Sequence, residues 1–246
     1  MENAKNRPYD FQAGEVLLIH KPYTWTSFDV INNLRLFIRH NFKIRKVKVG
    51  HAGTLDPLAT GLIILCTGKF TKRIEEFQAQ EKEYIGTFTL GATTPSFDME
   101  KEIDNTYPVD HITEEMIRET AGKFIGAQQQ LPPIYSAVRI EGKRLYKHAR
   151  KGTGEEVEIK PRNIHISEFE ITKVIFPVVW FRVVCSKGTY IRGLARDFGE
   201  ALDSGAYMTS LQRTRIGSFH LNEAMTLDEF KEHVLANRII PEEEQN

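Results

Sequence analysis

The feature that most constrains this chain is a glycine- and proline-rich stretch, residues 49–61, that runs directly into an apolar segment, residues 62–66. Glycine allows backbone conformations that side chains forbid, and proline restricts the residue before it to extended geometry. Asp56 precedes Pro57, so we expect its carboxylate on a shaped, extended loop. The apolar segment is too short for a buried helix and predicts a core strand. A carboxylate held beside a core strand is well placed for chemistry.

A second interpretation of Asp56 is structural. An aspartate before a proline is a common turn former. On spacing alone the turn interpretation is favoured, because short motifs are weak evidence of function. The longer string around Asp56 is what changes this balance.

The twelve residues from Gly50 to Gly61, GHAGTLDPLATG, resemble the active-site motif of the TruB-type pseudouridine synthases. That family modifies a uridine in the T-loop of tRNA. The resemblance implies that Asp56 is the nucleophile. His51 is then a candidate for displacing or replacing the target base, and a loop histidine bonded to the backbone is an equally good interpretation. A base stacked in the T-loop must be flipped out, which costs a few kcal/mol.

The segment before this motif also resembles the family. His20-Lys21-Pro22 followed by Thr26-Ser27 is similar to the family's first motif. The resemblance implies that this segment buttresses the catalytic loop, and we include Lys21 among the substrate-binding candidates.

Tyr84 lies in a segment of alternating residues, 83–90, that predicts a strand with one apolar face. The pattern alone favours an ordinary strand tyrosine. In the resembled family the tyrosine of this Lys-Glu-Tyr segment stacks on the target base, which makes Tyr84 a catalytic candidate. Its hydroxyl is a candidate for the final deprotonation at C5.

Residues 186–192 predict a strand–turn–helix corner that ends at Arg192. Thr189 is a plausible N-cap of the helix. A cation in the first turn of a helix is disfavoured by the helix dipole, so an acidic partner is expected. The resemblance names Asp56 as that partner, and a close guanidinium favours the ionised form of a carboxylate. Residues 209–217 resemble the family's last motif, whose leucine, Leu211 here, packs against the flipped base.

A basic insertion is predicted around residues 125–155. Residues 143–152 favour a short basic helix ended by glycine, and a face of this kind near aromatic residues suits phosphate contact and stacking. A solvated run of charges is about equally compatible with the pattern. The strings PPIYSA and GKRLY resemble the TruB-type insertion that clamps the T-loop. The substrate-binding candidates in this insertion are Arg144, Lys147 and Lys151.

Overall charge is balanced, with 33 basic and 33 acidic residues, which by itself argues against an RNA-binding protein. The distribution is uneven. Residues 1–75 carry 12 basic and 6 acidic groups, residues 76–120 carry 3 and 11, and residues 121–162 carry 9 and 4. Two basic blocks can supply one positive face despite overall neutrality, although scattered surface charge gives the same count.

Other function classes are disfavoured by what the sequence lacks. No apolar stretch is long enough to span a bilayer, and no secretory signal is visible. Cys66 and Cys185 lie in apolar runs, which is typical of reduced, buried thiols in a cytoplasmic protein. No metal-ligand set or nucleotide fingerprint is present. We therefore expect a cytoplasmic monomer that uses no cofactor and no metal.

Local patterns predict the other elements. Thr26 or Ser27 is expected to cap a helix that buries Val30, Ile31, Leu34, Phe37 and Ile38. Further helices are predicted over residues 69–77 and 113–124. Strands are predicted over residues 15–20, 43–49, 156–160, 164–175 and 178–186.

Together these features predict a mixed α/β fold with an antiparallel-rich central sheet flanked by helices, the pseudouridine synthase fold. We expect residues 1–246 to form a single catalytic domain without the C-terminal PUA domain common in the family, and with Asp56, Tyr84, Arg192 and Leu211 converging on one cleft. The predicted function is isomerisation of a uridine in the tRNA T-arm. A non-catalytic RNA-binding or tRNA-folding module would not need the acid–arginine pair. A glycosidase-like hydrolase would need a second carboxylate, and none stands out near the motif.

Overall fold

The computed structural model describes residues 8–135, 139–140, 143–144 and 160–237. Its α-helices are α1 (Ser27–Phe42), α2 (Ile74–Ala79), α3 (Glu114–Lys123), α4 (Ile191–Ala201) and α5 (Leu227–Ala236). Its strands are β1 (Val16–Lys21), β2 (Val49–His51), β3 (Thr60–Thr67), β4 (Lys82–Leu90), β5 (Ala92–Thr93), β6 (Asn105–Thr106), β7 (Gly126–Gln130), β8 (Arg139–Ile140), β9 (Lys143–Arg144), β10 (Arg162–Ile175), β11 (Val178–Cys185), β12 (Ala206–Ile216) and β13 (Phe219–His220). Short 3-10 helices cover Gly68–Arg73 and Leu221–Glu223.

The chain divides into two compact units, and the first draws its described residues from 8–80 and 213–237. Its centre is β3, the strand predicted from the apolar segment, whose residues from Leu62 to Cys66 are fully buried. Strand β1 pairs antiparallel with β3, placing Lys21 opposite Gly61. Strand β2 also pairs antiparallel with β3, placing His51 opposite Leu65. Both ends of the glycine-rich loop between β2 and β3 are therefore fixed by strand pairing.

Helix α1 begins and ends where local chemistry requires. The Thr26 hydroxyl oxygen accepts a hydrogen bond from the Asp29 amide, and the Asp29 carboxylate accepts one from the Thr26 amide, which completes a capping box. The predicted face is buried against the core cluster of the first unit, to which α5 adds Leu227 and Phe230. The helix ends at Phe42, and its C-cap residue, Lys43, has a left-handed φ of 55° that interrupts the helical backbone.

The second unit comprises residues 81–212. Strands β4, β11, β10 and β7 lie side by side in that order, and each neighbouring pair is antiparallel. Strand β12 borders β4, where Thr209 donates to the Thr87 carbonyl. The prediction of a mixed α/β fold with an antiparallel-rich sheet is confirmed.

The core of the second unit is a cluster of phenylalanine rings supplied by strands and helices. Phe198 of α4 lies 5.6 Å from Phe169 and 5.9 Å from Phe88, between ring centroids. Phe88 and Phe181 are closer, at 4.2 Å. These contacts fix α4, the helix that carries Arg192, on the sheet of its own unit.

The predicted strand over residues 43–49 is wrong for all but its last residue. Strand structure begins only at Val49, which pairs with Thr67. Strand β3 ends at Thr67, and Gly68 follows with a positive φ of 50°. Within the part of the chain that the structure describes, β3 therefore offers residues 43–48 no partner for a ladder. The alternating pattern still sorts these residues, because Ile44 and Val47 pack against the core cluster.

The predicted basic helix over residues 143–152 is wrong at its first two residues. Lys143 and Arg144 form β9, which pairs antiparallel with β8. Only Glu141 and Gly142 connect the two strands, and a two-residue connection containing glycine is a strong hairpin signal. The remainder of that prediction, with Lys147 and Lys151, lies outside the described residues, as does the predicted strand over 156–159.

Phe198→Ala should lower the free energy of unfolding by about 3–5 kcal/mol, because a buried phenylalanine loses both its burial and its neighbours' contacts. Phe198 is fully buried, whereas Phe176 is 45% exposed. Phe176→Ala is the matched control and should change stability by no more than about 0.5 kcal/mol. Urea unfolding of both variants checks this, and equal losses would contradict the packing described here.

Candidate active site

The loop that carries Asp56 runs from the end of β2 to the start of β3, all within the first unit. Gly53 and Gly61 have φ values of 120° and 107°, conformations that only glycine adopts readily. Between them the Asp56 carbonyl accepts a bond from the Ala59 amide at 3.1 Å, which closes a turn at Pro57. The Asp56 side chain is half-buried. The prediction that Asp56 lies on a loop is thus confirmed. Asp56 also forms the turn that its position before Pro57 predicts.

Ser27, the first residue of α1, holds the middle of this loop. Its hydroxyl donates to the Leu55 carbonyl at 3.1 Å and accepts from the Leu55 amide at 2.8 Å. Both groups are buried, so each would cost free energy if left unpaired. The residue immediately before Asp56 is therefore fixed to the start of a well-capped helix.

Lys21 holds the loop from a second side. Its side chain is fully buried. The ammonium group donates to the carbonyl oxygens of Trp25 at 2.6 Å, Pro22 at 2.9 Å and Pro57 at 3.3 Å. Three donors are available only while the group is protonated. This position supports the buttressing role that the resemblance implied.

Arg213, near the end of β12, binds both ends of the loop. Its side chain is 1% exposed, its Nε donates to the Leu62 carbonyl at 2.7 Å, and its Nη2 donates to the Gly53 carbonyl at 3.2 Å. A Cβ atom on Gly61 would lie 2.3 Å from the Arg213 carbonyl oxygen. A side chain at position 61 is therefore excluded by sterics as well as by φ.

These buried cations set the electrostatics of the loop. Burial lowers the pKa of Lys21 to about 8, with Arg213 acting in the same direction and the Asp56 carboxylate opposing it. Burial, together with the charge of Arg213, also lowers the pKa of His51. The His51 Nδ1 accepts a bond from the Gly53 amide at 3.3 Å, which requires an unprotonated nitrogen. His51 is therefore a neutral histidine bonded to its own loop at physiological pH.

Tyr84 and Leu211 lie in the second unit, on β4 and β12. Tyr84 is 9% exposed and Leu211 is 8% exposed. The alternation predicted for β4 is confirmed, since Tyr84, Phe88 and Leu90 are buried on one face.

Arg192 is buried near the start of α4, with 5% of its surface exposed. Its Nε lies 3.5 Å from the Asp98 carboxylate, and its guanidinium donates to the carbonyls of Ser96 at 3.0 Å and Tyr135 at 2.9 Å. The expectation of an acidic partner is met within the second unit by Asp98. Thr189 is not the N-cap. That residue is Tyr190, and the Thr189 hydroxyl donates instead to the Ser186 carbonyl.

Arg213 and Asp98 are the two residues of these networks that sequence reasoning missed. Arg213 lies two residues after Leu211, so in a strand both side chains point to the same face. This spacing could have predicted that Arg213 is buried like Leu211. Asp98 lies in an acidic loop whose charges resemble ordinary surface. Nothing local separates Asp98 from its neighbours.

Three further observations concern the described residues. Cys66 and Cys185 are buried, and burial raises the pKa values of their thiols to about 11 and about 12. Among the described residues, no group of His, Cys, Asp or Glu is arranged to hold a metal ion. Within the same part of the chain, no helix has the length and apolar character needed to cross a membrane.

Two family models together match residues 39–245 of the chain. Residues 39–191 match the TruB family pseudouridylate synthase N-terminal domain, and residues 192–245 match the tRNA pseudouridylate synthase B C-terminal domain. The chain belongs to the TruB family. As a TruB-family pseudouridine synthase it is an isomerase.

Individual relatives agree with this assignment. The protein called tRNA pseudouridine synthase B in Parabacteroides distasonis is 55% identical to this TruB-family chain, over 96% of this chain and 100% of its own length. The protein of the same name in Bacteroides thetaiotaomicron is 53% identical, over 96% and 100%.

Solved structures confirm the pseudouridine synthase fold. A Cbf5-Nop10-Gar1 complex contains a chain with a TM-score of 0.66 and 28% identity, covering 90% of this chain and 54% of that one. An H/ACA RNP bound to a substrate RNA containing 2'-deoxyuridine gives a TM-score of 0.63 and 25% identity, over 88% and 52%. The TruB-family chain thus spans about half the length of these two structural neighbours.

In the wild type, the lowered pKa of Lys21 should make the free energy of unfolding rise with pH, and Lys21→Met should remove this contribution. The folded protein releases the Lys21 proton near pH 8, whereas the unfolded chain holds it to about pH 10.5. Between these values the unfolded state binds more protons, so folding becomes more favourable as pH rises. The free energy of unfolding of the wild type minus that of the variant should therefore grow from pH 8 to 10. Urea unfolding measures both values, and the contributions of titrating groups that the two proteins share cancel in the difference.

The exposed lysine Lys69 provides the control for this measurement. Lys69→Met should give a difference that does not change over the same pH range. A flat or falling difference for Lys21→Met would show that the ammonium group is not buried as described.

Arg213→Met should raise the pKa of His51, because a nearby positive charge disfavours the imidazolium form. Arg213→Lys keeps the charge and should leave that pKa close to the wild-type value. The titration of the His51 ring protons by NMR measures both. A His51 pKa that stays unchanged in Arg213→Met would remove Arg213 from this network.

Proposed function

We propose that this protein is a tRNA pseudouridine synthase that isomerises a uridine of the T-loop, position 55, to pseudouridine. The observation that carries the proposal is the Asp56 loop. A half-buried carboxylate is presented on a backbone that is hydrogen-bonded at Gly53, Leu55, Pro57 and Leu62. This rigidity suits a nucleophile, because attack requires an aimed and ionised group. The relatives' name, tRNA pseudouridine synthase B, supports the substrate class.

In the proposed reaction the bond between ribose C1′ and uracil N1 breaks. The base turns within the site, a bond forms between C1′ and C5, the C5 hydrogen leaves as a proton, and N1 takes up a proton, so that the product is an isomer of the substrate. No electrons enter or leave, so no redox cofactor is needed. Asp56 is the nucleophile. Its carboxylate forms a transient bond either to the ribose or to the uracil ring, and that bond breaks again before the product leaves, so both routes keep this balance.

Other candidate residues take roles around Asp56 in this proposal. Tyr84 offers a stacking face and a hydroxyl for deprotonation at C5, and Leu211 packs against the flipped base. His51 is neutral, so it can displace or replace the base without adding a charge. Lys21 acts through the loop, because its ammonium group is already engaged with three carbonyls.

Arg192 is proposed as the guanidinium that faces the Asp56 carboxylate in the working enzyme. Its partners in the second unit support this role, since Asp98 and two carbonyls fix the orientation of a planar group. The arginine is thus held before substrate arrives, which is the condition for electrostatic preorganisation.

Substrate binding is proposed to rest on phosphate contacts with the T-arm. Exposed cations of residues 43–48 and the cations Arg144, Lys147 and Lys151 of the insertion supply candidate positive charge. The enzyme is proposed to act as a monomer in the cytoplasm, where bacterial tRNA is modified. The alternative, a non-catalytic RNA-binding module, is not favoured, because the relatives that match 96% of this chain carry the name of an enzyme.

Asp56→Asn should abolish pseudouridine formation while the affinity for T-arm RNA stays within about threefold of wild type. The amide cannot act as a nucleophile, whereas affinity comes mainly from phosphate contacts. Tritium release from C5-labelled uridine in a T-arm transcript measures turnover, and filter binding measures affinity.

Asp110→Asn, a change of the same kind at an exposed loop residue, is the control and should keep full activity. Activity of Asp56→Asn within tenfold of wild type would overturn the nucleophile. A wild-type protein that binds the transcript but releases no tritium would favour the RNA-binding module.

A further inference from the structure

Gln130, the last residue of β7, is a buried amide with 3% exposure. Its Oε1 accepts a bond from the Tyr190 amide at 2.8 Å, and its Nε2 donates to the Tyr190 carbonyl at 3.0 Å. One side chain therefore binds both polar backbone groups of a residue 60 positions away. Gln129, the preceding residue, is exposed.

Tyr190 is the N-cap of α4, and its own side chain makes no capping bond. Its carbonyl also accepts the first helical bond of α4, from Leu194 at 3.0 Å. The position of this one peptide unit sets where the helix begins and how it is rotated. Arg192 is the second residue of the helix, so its guanidinium follows from the position of Tyr190.

Gly193 leaves the space that the Gln130 amide occupies. A Cβ atom at position 193 would lie 3.1 Å from both the Cδ and the Nε2 of Gln130. That separation is shorter than ordinary carbon contacts, so the amide would have to move by a few tenths of an ångström. Glycine is otherwise unfavourable inside a helix. The space that the Gln130 amide needs is therefore a physical reason for a glycine at position 193.

The residues that follow Gln130 are held by the same helix. Arg196 Nη2 donates to the Leu131 carbonyl at 3.2 Å, and Arg192 Nη2 donates to the Tyr135 carbonyl at 2.9 Å. Residues 130–135 therefore bond at three points to the N-terminal half of α4. They also lead directly into the basic insertion in the sequence.

We propose that Gln130 is a positioning residue for Arg192: its amide fixes the N-cap of α4 and so sets the position and orientation of the guanidinium. The same bonds link the base of the RNA-clamping insertion to the arginine. This inference rests on the proposed function for the role of Arg192. It adds a residue that acts through the backbone of Tyr190.

Gln130→Ala should lower the single-turnover rate by about tenfold to a hundredfold, because small misplacements of catalytic groups are costly. The Kd for the T-arm transcript should stay within about threefold, since no phosphate contact is removed. Gln129→Ala is the matched control on the same strand and should change neither value by more than about twofold. A purely structural Gln130 would lower the melting temperature and leave the rate intact below it.

Gly193→Ala tests the geometry from the other side. In wild type the added methyl group displaces the Gln130 amide, so the rate should fall by about threefold or more. In the Gln130→Ala background the methyl group meets no amide, so the same change should cost nothing. Equal losses in the two backgrounds would show that the two residues act independently and would overturn the proposal.

Hydrogen exchange separates this proposal from the proposed function. Gln130→Ala should speed amide exchange across the first turn of α4, whereas Gln129→Ala should not. If wild type forms no pseudouridine, the proposed function fails while faster exchange still supports the link from Gln130 to α4. Unchanged exchange together with an unchanged rate overturns the role of Gln130.

Discussion

The structure around Asp56 depends on burying two cations against backbone carbonyls. A buried charge is costly unless its hydrogen-bonding groups find partners. Arg213 finds them at both ends of the loop, and Lys21 finds one at the turn beside Asp56. The loop cannot relax without taking acceptors away from these cations. Its rigidity therefore comes from the penalty of an uncompensated charge, in addition to strand pairing at its ends.

The glycines of the loop follow from this arrangement. Gly61 must be a glycine because its α-carbon packs on the Arg213 backbone, and Gly53 must adopt a positive φ while its carbonyl faces the guanidinium. Glycine-rich loops are often associated with flexibility. Here each glycine permits a close approach that holds the carboxylate in place.

What could be predicted from the sequence is what local chemistry decides. The capping box at Thr26, the core strand behind Asp56 and the alternation around Tyr84 all follow from nearest neighbours. The long-range partners could not be predicted. Nothing near Arg213 in the sequence shows that it donates to the Gly53 carbonyl, and nothing near Gln130 shows that it binds the backbone of Tyr190. The error at Lys143 is of another kind, since a short charged run fits either a helix or a hairpin and only the two-residue connection separates them.

The first unit combines residues from the two halves of the chain, and this has a consequence for synthesis on the ribosome. Asp56 leaves the ribosome early, but Arg213 lies 160 residues after the Gly53 carbonyl that it binds. Chains grow at about 5–20 residues per second, so the loop stays without its clamp for roughly 8 to 32 seconds of translation. The nascent protein therefore carries Asp56 long before the charged side chain that holds its loop in place. The bonds that hold this loop from β12 can form only after Arg213 has been made.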